Sequence, residues 1–226
     1  MTLRANARLA GLTFLLYIAT GLTSLALFNR ASAGEGPVAQ LASLARQAPL
    51  VRLTVVLTLL TFVIAVTLAV TLYALTRDQD HDVALIALCC RATEGVLAAV
   101  SAVQTLQLLA VARASTAAAP DAAVAQALGG VLLRQGGWSA SIAATCFAVG
   151  SLLYSWLFLR ARSIPAGLAG LGVVASLLLV VLLPVQLAGL LQGPVTSLMW
   201  IPMAVFEVTL GFWLLLKGVA VPERER

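Results

Sequence analysis

Six apolar stretches, each long enough to cross a bilayer, constrain this chain more than any other feature. They run at about 9–28, 53–75, 83–111, 138–159, 166–191 and 199–217. A helix needs about 20 residues to cross the hydrocarbon layer. In lipid every backbone N–H and C=O must find a partner within the protein, and unbroken apolar runs of this length meet that demand as helices. Composition agrees: 61% of the 226 residues are hydrophobic and 10% are charged, against roughly 25% charged in soluble domains. The expected fold is all-α, a polytopic integral membrane bundle of six transmembrane helices forming a single domain over residues 1–226.

The connections add two short elements. The first loop, from Asn29 to Arg52, begins with Gly34 and Gly36, and apolar residues then recur at helical spacing up to Arg46. Pro37 suits a first helical turn, so a short interfacial helix is expected there. In the third loop Pro120 and Asp121 open an Ala-rich amphipathic stretch that ends near Gly129-Gly130 or Arg134, and a second interfacial helix is expected. The remaining loops are short, which makes their flanking helices antiparallel neighbours. Arg4, Arg8 and the Ala31-Ser32-Ala33 triplet imitate a cleaved secretory signal. The apolar run between them has spanning length, however, and reads as a first transmembrane helix.

The formal net charge is +5, yet the basic residues sit singly at the ends of the apolar runs. They form no patch interleaved with aromatics, so a nucleic-acid partner is not expected. They read instead as topogenic signals. One side collects Arg4, Arg8, Arg77, Arg160, Arg162, Lys217, Arg224 and Arg226; the other collects Arg30, Arg46, Arg52, Arg113 and Arg134. This bias, with an even span count, puts both termini in the cytoplasm.

Against that apolar background three ionisable residues stand out: Arg91 and Glu94 in the third span, Glu207 in the sixth. Charge at membrane depth costs several kcal/mol unless it is paired, hydrated or turned into the protein, which marks a candidate functional site. Arg91 and Glu94 are spaced i,i+3 and share a helix face. Gly95, Ala98, Ser101 and Thr105 continue the same stripe, and small polar stripes face other helices rather than lipid. Glu207 has a comparable depth. One guanidinium and two carboxylates leave one formal negative charge, to be met by a proton, a cation or an amine. The expected ligand or proton site comprises Arg91, Glu94, Glu207, Ser101, Gln104 and Trp213. Gln107, Gln186 beside Pro184, Tyr17 and Tyr154 are further polar groups that packing or interface anchoring explains as well. The facing hydroxyls of Thr54, Thr58 and Thr61 are expected to bond their own helix carbonyls.

No catalytic set, metal set or cofactor is expected. Cys89, Cys90 and Cys146 have no metal-ligand spacing and read as small buried hydrophobes. The second loop, Arg77-Asp78-Gln79-Asp80-His81-Asp82, concentrates carboxylates and the single histidine. It reads as a solvated turn with Asp82 capping the next helix. Gly167, Gly170, Gly172 and Gly211 read as points of close helix contact.

Several of these motifs together resemble a bacterial membrane family known as domain of unknown function 4386. The resemblance rests on Leu153-Tyr154-Ser155-Trp156-Leu157-Phe158-Leu159-Arg160-Ala161-Arg162-Ser163-Ile164-Pro165 leading into Gly170. It rests further on Ile201-Pro202-Met203-Ala204-Val205-Phe206-Glu207, with Gly211-Phe212-Trp213-Leu214-Leu215-Leu216-Lys217-Gly218 after it, on Arg91-x-x-Glu94, and on Arg8-Leu-Ala-Gly11. The resemblance implies six helices in a single multi-pass domain and a place in the family's pattern for Arg91, Glu94, Glu207, Trp213 and Lys217; it implies no activity. The cytoplasmic (inner) membrane is the expected location. The leading expectation is a membrane protein that binds a small ligand, lipid or proton at an intramembrane Arg/Glu site, with a carrier role in view. The bilayer is the expected partner, beside a small-molecule or lipid ligand and either a second copy or a partner membrane protein. Two alternatives stand beside it: a structural or accessory subunit whose charge cluster only pins helices, and an intramembrane enzyme acting on lipids.

Overall fold

The computed structural model describes residues 2–116 and 121–220, with the backbone alone at 135–136. Pro120, Arg224 and Arg226, which entered the sequence reading, lie outside the described residues. The described chain forms α1 (Leu3–Ala31), α2 (Gly36–Arg46), α3 (Ala48–Thr76), α4 (His81–Ser115), α5 (Ala122–Ala161), α6 (Ala166–Leu187), α7 (Val195–Leu198) and α8 (Ile201–Leu216). Six segments are long and apolar enough to span a membrane, with α7 and α8 together supplying the last. The outward surface carries large apolar side chains such as Leu22, Val56, Val63, Val174, Val181 and Leu216. Such a surface suits lipid and not water.

The helix boundaries have local causes. The first loop contains the expected helix, α2, with Pro37 in its first turn. The third loop does not hold a separate one: its Ala-rich stretch belongs to the 40-residue α5, which continues through Gly129-Gly130 into the fourth span. Glycine lowers helix propensity by only about 1 kcal/mol, too little to break a helix held by packing. The fifth span stops at Leu187, short of the expected Leu191. Gly189 takes φ +77°, and the Leu190 N–H donates back to the Val185 carbonyl, closing the helix with a Schellman turn. Before α4 the cap is Asp80, whose Oδ1 accepts from the Val83 N–H at 3.2 Å, and not Asp82. The helix starts at His81, two residues earlier than the sequence suggested, so the capping carboxylate also shifts upstream.

The chain forms two compact units. The first comprises residues 1–18, 63–95 and 141–226; the second comprises 19–62 and 96–140. They do not correspond to the first three and last three spans.

The first unit has a core that includes Phe14, Leu72, Phe147, Phe158, Leu179 and Met203. Two close approaches organise it. A Cβ on Gly11 would fall 2.6 Å from the Gly211 carbonyl oxygen, so α1 and α8 meet backbone to backbone. A Cβ on Gly172 would fall 2.5 Å from Ser155 Oγ and from Phe206 Cε2, where α6 meets α5 and α8. Gly167 and Gly170 face open space, so the close contact expected of them is absent. The Tyr154 hydroxyl donates to the Ala69 carbonyl at 3.0 Å and ties α5 to α3.

The second unit buries Ala31, Leu41, Leu44, Val51, Leu108 and Leu109 together. Leu41 of α2 lies where a Cβ on Gly129 of α5 would fall, 2.6 Å from Leu41 Cδ1. The missing side chain at Gly129 thus seats the interfacial helix.

Candidate intramembrane charge site

The first unit carries the charge cluster. Arg91, Glu94 and Glu207 are 1%, 6% and 7% exposed. On α4, Arg91 Nη1 lies 2.9 Å from Glu94 Oε2, the i,i+3 pair expected of one helix face. The contact is an ion pair without hydrogen-bond alignment, and Arg91 Nη2 has no hydrogen-bond partner among the described residues. The Tyr17 hydroxyl, from α1, donates to Glu94 Oε1. The Arg91 guanidinium carbon lies 4.6 Å from the centroid of the Phe147 ring and 5.4 Å from that of Tyr17. Aromatic faces stabilise a desolvated cation by about 2 kcal/mol or more, and they add to the pairing with the carboxylate.

Space for this arginine is built in. A Cβ on Gly150 of α5 would fall 2.8 Å from Arg91 Cγ and 3.2 Å from the Ala87 carbonyl. Neither Gly150 nor Phe147 was singled out from the sequence. No periodicity marks a phenylalanine that will lie against an arginine, since that partnership depends on how α5 packs on α4.

Glu207, on α8, is close enough to Arg91 and Glu94 for their charges to act on it. Its Oε1 is buried with no hydrogen-bond partner among the described residues. Arg91 thus makes its ion pair with Glu94, while Glu207 adds a second carboxylate to the same interior. With both carboxylates ionised, the cluster carries one net negative charge.

The other three expected site residues are elsewhere. Ser101 and Gln104 belong to the second unit and line a cavity there of about 670 Å³. Trp213 lines a separate cavity of about 390 Å³ with Arg162, Ser163 and Lys217. Cys89 is exposed and Cys90 and Cys146 are half-buried, so the expected buried role is not met by any of the three. Among the described residues no cluster of three or more His, Cys, Asp or Glu side chains could hold a metal ion. The carboxylates around the second loop pair with basic side chains instead: Asp80 with Arg160 at the end of α5 at 3.4 Å, Asp82 with its neighbour His81 at 3.4 Å.

Fold and site together define a multi-pass α-helical membrane protein with a buried Arg–Glu–Glu cluster. Residues 9–218 match the family described as domain of unknown function (DUF4386), and the chain belongs to that family. No curated protein and no solved structure matches it.

Proposed function

We propose that the protein binds a proton or a small cationic ligand within the membrane, with Glu207 as the accepting group and Arg91–Glu94 as its fixed counter-charges. The observation that carries this reading is the Glu207 Oε1 atom, buried and, among the described residues, without a hydrogen-bond partner, in an interior where the Arg91 guanidinium is engaged by Glu94. An uncompensated carboxylate at this depth is costly. A proton or an ammonium-type group removes that cost, and reversible uptake of either is the chemistry a membrane carrier needs. The lysine and arginine distribution supports cytoplasmic termini in an inner membrane.

The test is infrared difference spectroscopy across a pH titration of the protein reconstituted in lipid. The expected result is a carboxylic-acid band that disappears in a folded Glu207→Gln variant. An unchanged band in that variant excludes Glu207 as the exchanging group.

A structural reading has its own support: Arg91 is 1% exposed and fitted against Gly150. In that case the cluster only pins α4 to its neighbours, and Glu207→Gln fails to assemble. The two readings therefore separate on whether this variant folds and no longer titrates, or does not fold.

A further inference from the structure

We infer that the cavity of the second unit is a binding site for an uncharged membrane alcohol, a ligand with an apolar body and a hydroxyl head such as a diacylglycerol. All its described lining residues belong to the second unit. At about 670 Å³ it falls within the size range of small-molecule sites. Gly21 and Gly137 help to open it: a Cβ at either would meet nothing within 4 Å.

The lining states what the ligand must be. Among the described residues no Lys, Arg, His, Asp or Glu side chain lines the cavity. A charged head group would enter with no counter-charge, at the high cost of an unpaired ion inside a membrane. The apolar part of the wall comes from Leu25, Phe28, Leu132 and Leu133, which suits a hydrocarbon body better than a bare polyol.

The polar part is chiefly hydroxyl, and its protons are committed. Thr58 donates to the Thr54 carbonyl, Thr61 to that of Leu57, and Thr54 to that of Val51, at 2.8, 2.8 and 2.7 Å. On α4, Ser101 donates to the Leu97 carbonyl at 3.0 Å and Thr105 to that of Ser101 at 2.9 Å. A hydroxyl has one donor and two acceptor sites. Once its proton is spent on the helix, it faces the cavity as an acceptor. The cavity therefore asks for a ligand that donates. The amides of Gln104 and Gln107, which have no hydrogen-bond partner among the described residues, can accept from the same head and donate to its oxygen. A neutral hydroxyl meets all of these terms, while a methylated oxygen meets only the last.

The experiment is native mass spectrometry of the full chain in detergent, titrated with 1,2-dioctanoylglycerol, its O-methyl ether or glycerol. The expected result is saturable binding of one dioctanoylglycerol per chain, at least tenfold weaker binding of the ether, and no displacement by glycerol. Gln104→Leu and Thr58→Val should each weaken dioctanoylglycerol roughly tenfold, the scale of one lost hydrogen bond at a desolvated site. Equal binding of the ether by the wild-type chain overturns the proposal without any variant having to fold. Displacement by glycerol overturns the membrane source in favour of a free polyol.

Discussion

At the scale of single residues, the charge cluster is held by contacts that can be removed one atom at a time. Replacing Gly150 by Ala places a methyl 2.8 Å from Arg91 Cγ. The arginine stem is fixed by its ion pair and cannot retreat freely, so we expect a loss of about 1–3 kcal/mol, the usual scale of overpacking. Thermal unfolding in detergent measures it. Tyr17→Phe removes the proton donated to Glu94 Oε1 and leaves a buried carboxylate oxygen short of a donor, at a cost of roughly 1–3 kcal/mol. The same substitution in a Glu94→Gln background should cost less, and the double-mutant cycle reports the difference as coupling. Arg91 and Glu94 were legible in the sequence because charge in an apolar run is conspicuous and i,i+3 spacing fixes their shared face. Tyr17 was noticed only as a polar aromatic. Its bond to Glu94 joins residues 77 positions apart, a distance no local pattern reports.

At the scale of elements, two expectations turned on helix ends and one on helix length. The capping carboxylate of α4 is Asp80, so Asp80→Ala should cost about 1 kcal/mol and Asp82→Ala close to nothing. A comparison of the two unfolding midpoints checks this. Pairing α1 with α8 depends on Gly11, because any side chain there meets the Gly211 carbonyl oxygen. Gly11→Leu should prevent assembly, and size-exclusion chromatography should show aggregated rather than monodisperse protein. Helix length also bears on why Ser101 and Gln104, expected beside Arg91, fall in the second unit. Ser101 lies ten residues beyond Arg91 on the same helix, which is about 15 Å along the axis at 1.5 Å per residue. A shared face is not a shared depth, and the stripe argument considered only the angle.

At the scale of the whole molecule, the number of spans has a consequence for topology. Six helices are long and apolar enough to cross a membrane, and an even number of crossings with this lysine and arginine bias leads us to expect both ends in the cytoplasm. Green fluorescent protein fused at either end should fluoresce in cells, and alkaline phosphatase fused at either end should stay inactive; an active phosphatase at either end contradicts the assignment. The sequence by itself determined that this chain is an all-α membrane protein with six spans, an interfacial helix in its first loop and charged groups at depth. It could do so because lipid offers the backbone no hydrogen bonds, so apolar length alone dictates helix. Only the tertiary structure decided that α5 runs on through its glycines, that Phe147 and Gly150 enclose Arg91, and that Glu207 Oε1 is left unpartnered. It also assigned Ser101 and Gln104 to a neutral cavity of their own. Those outcomes depend on which side chains meet across helices distant in the chain. In a membrane that choice is made by close packing and hydrogen bonding, since the apolarity that reveals each helix is shared by all of them.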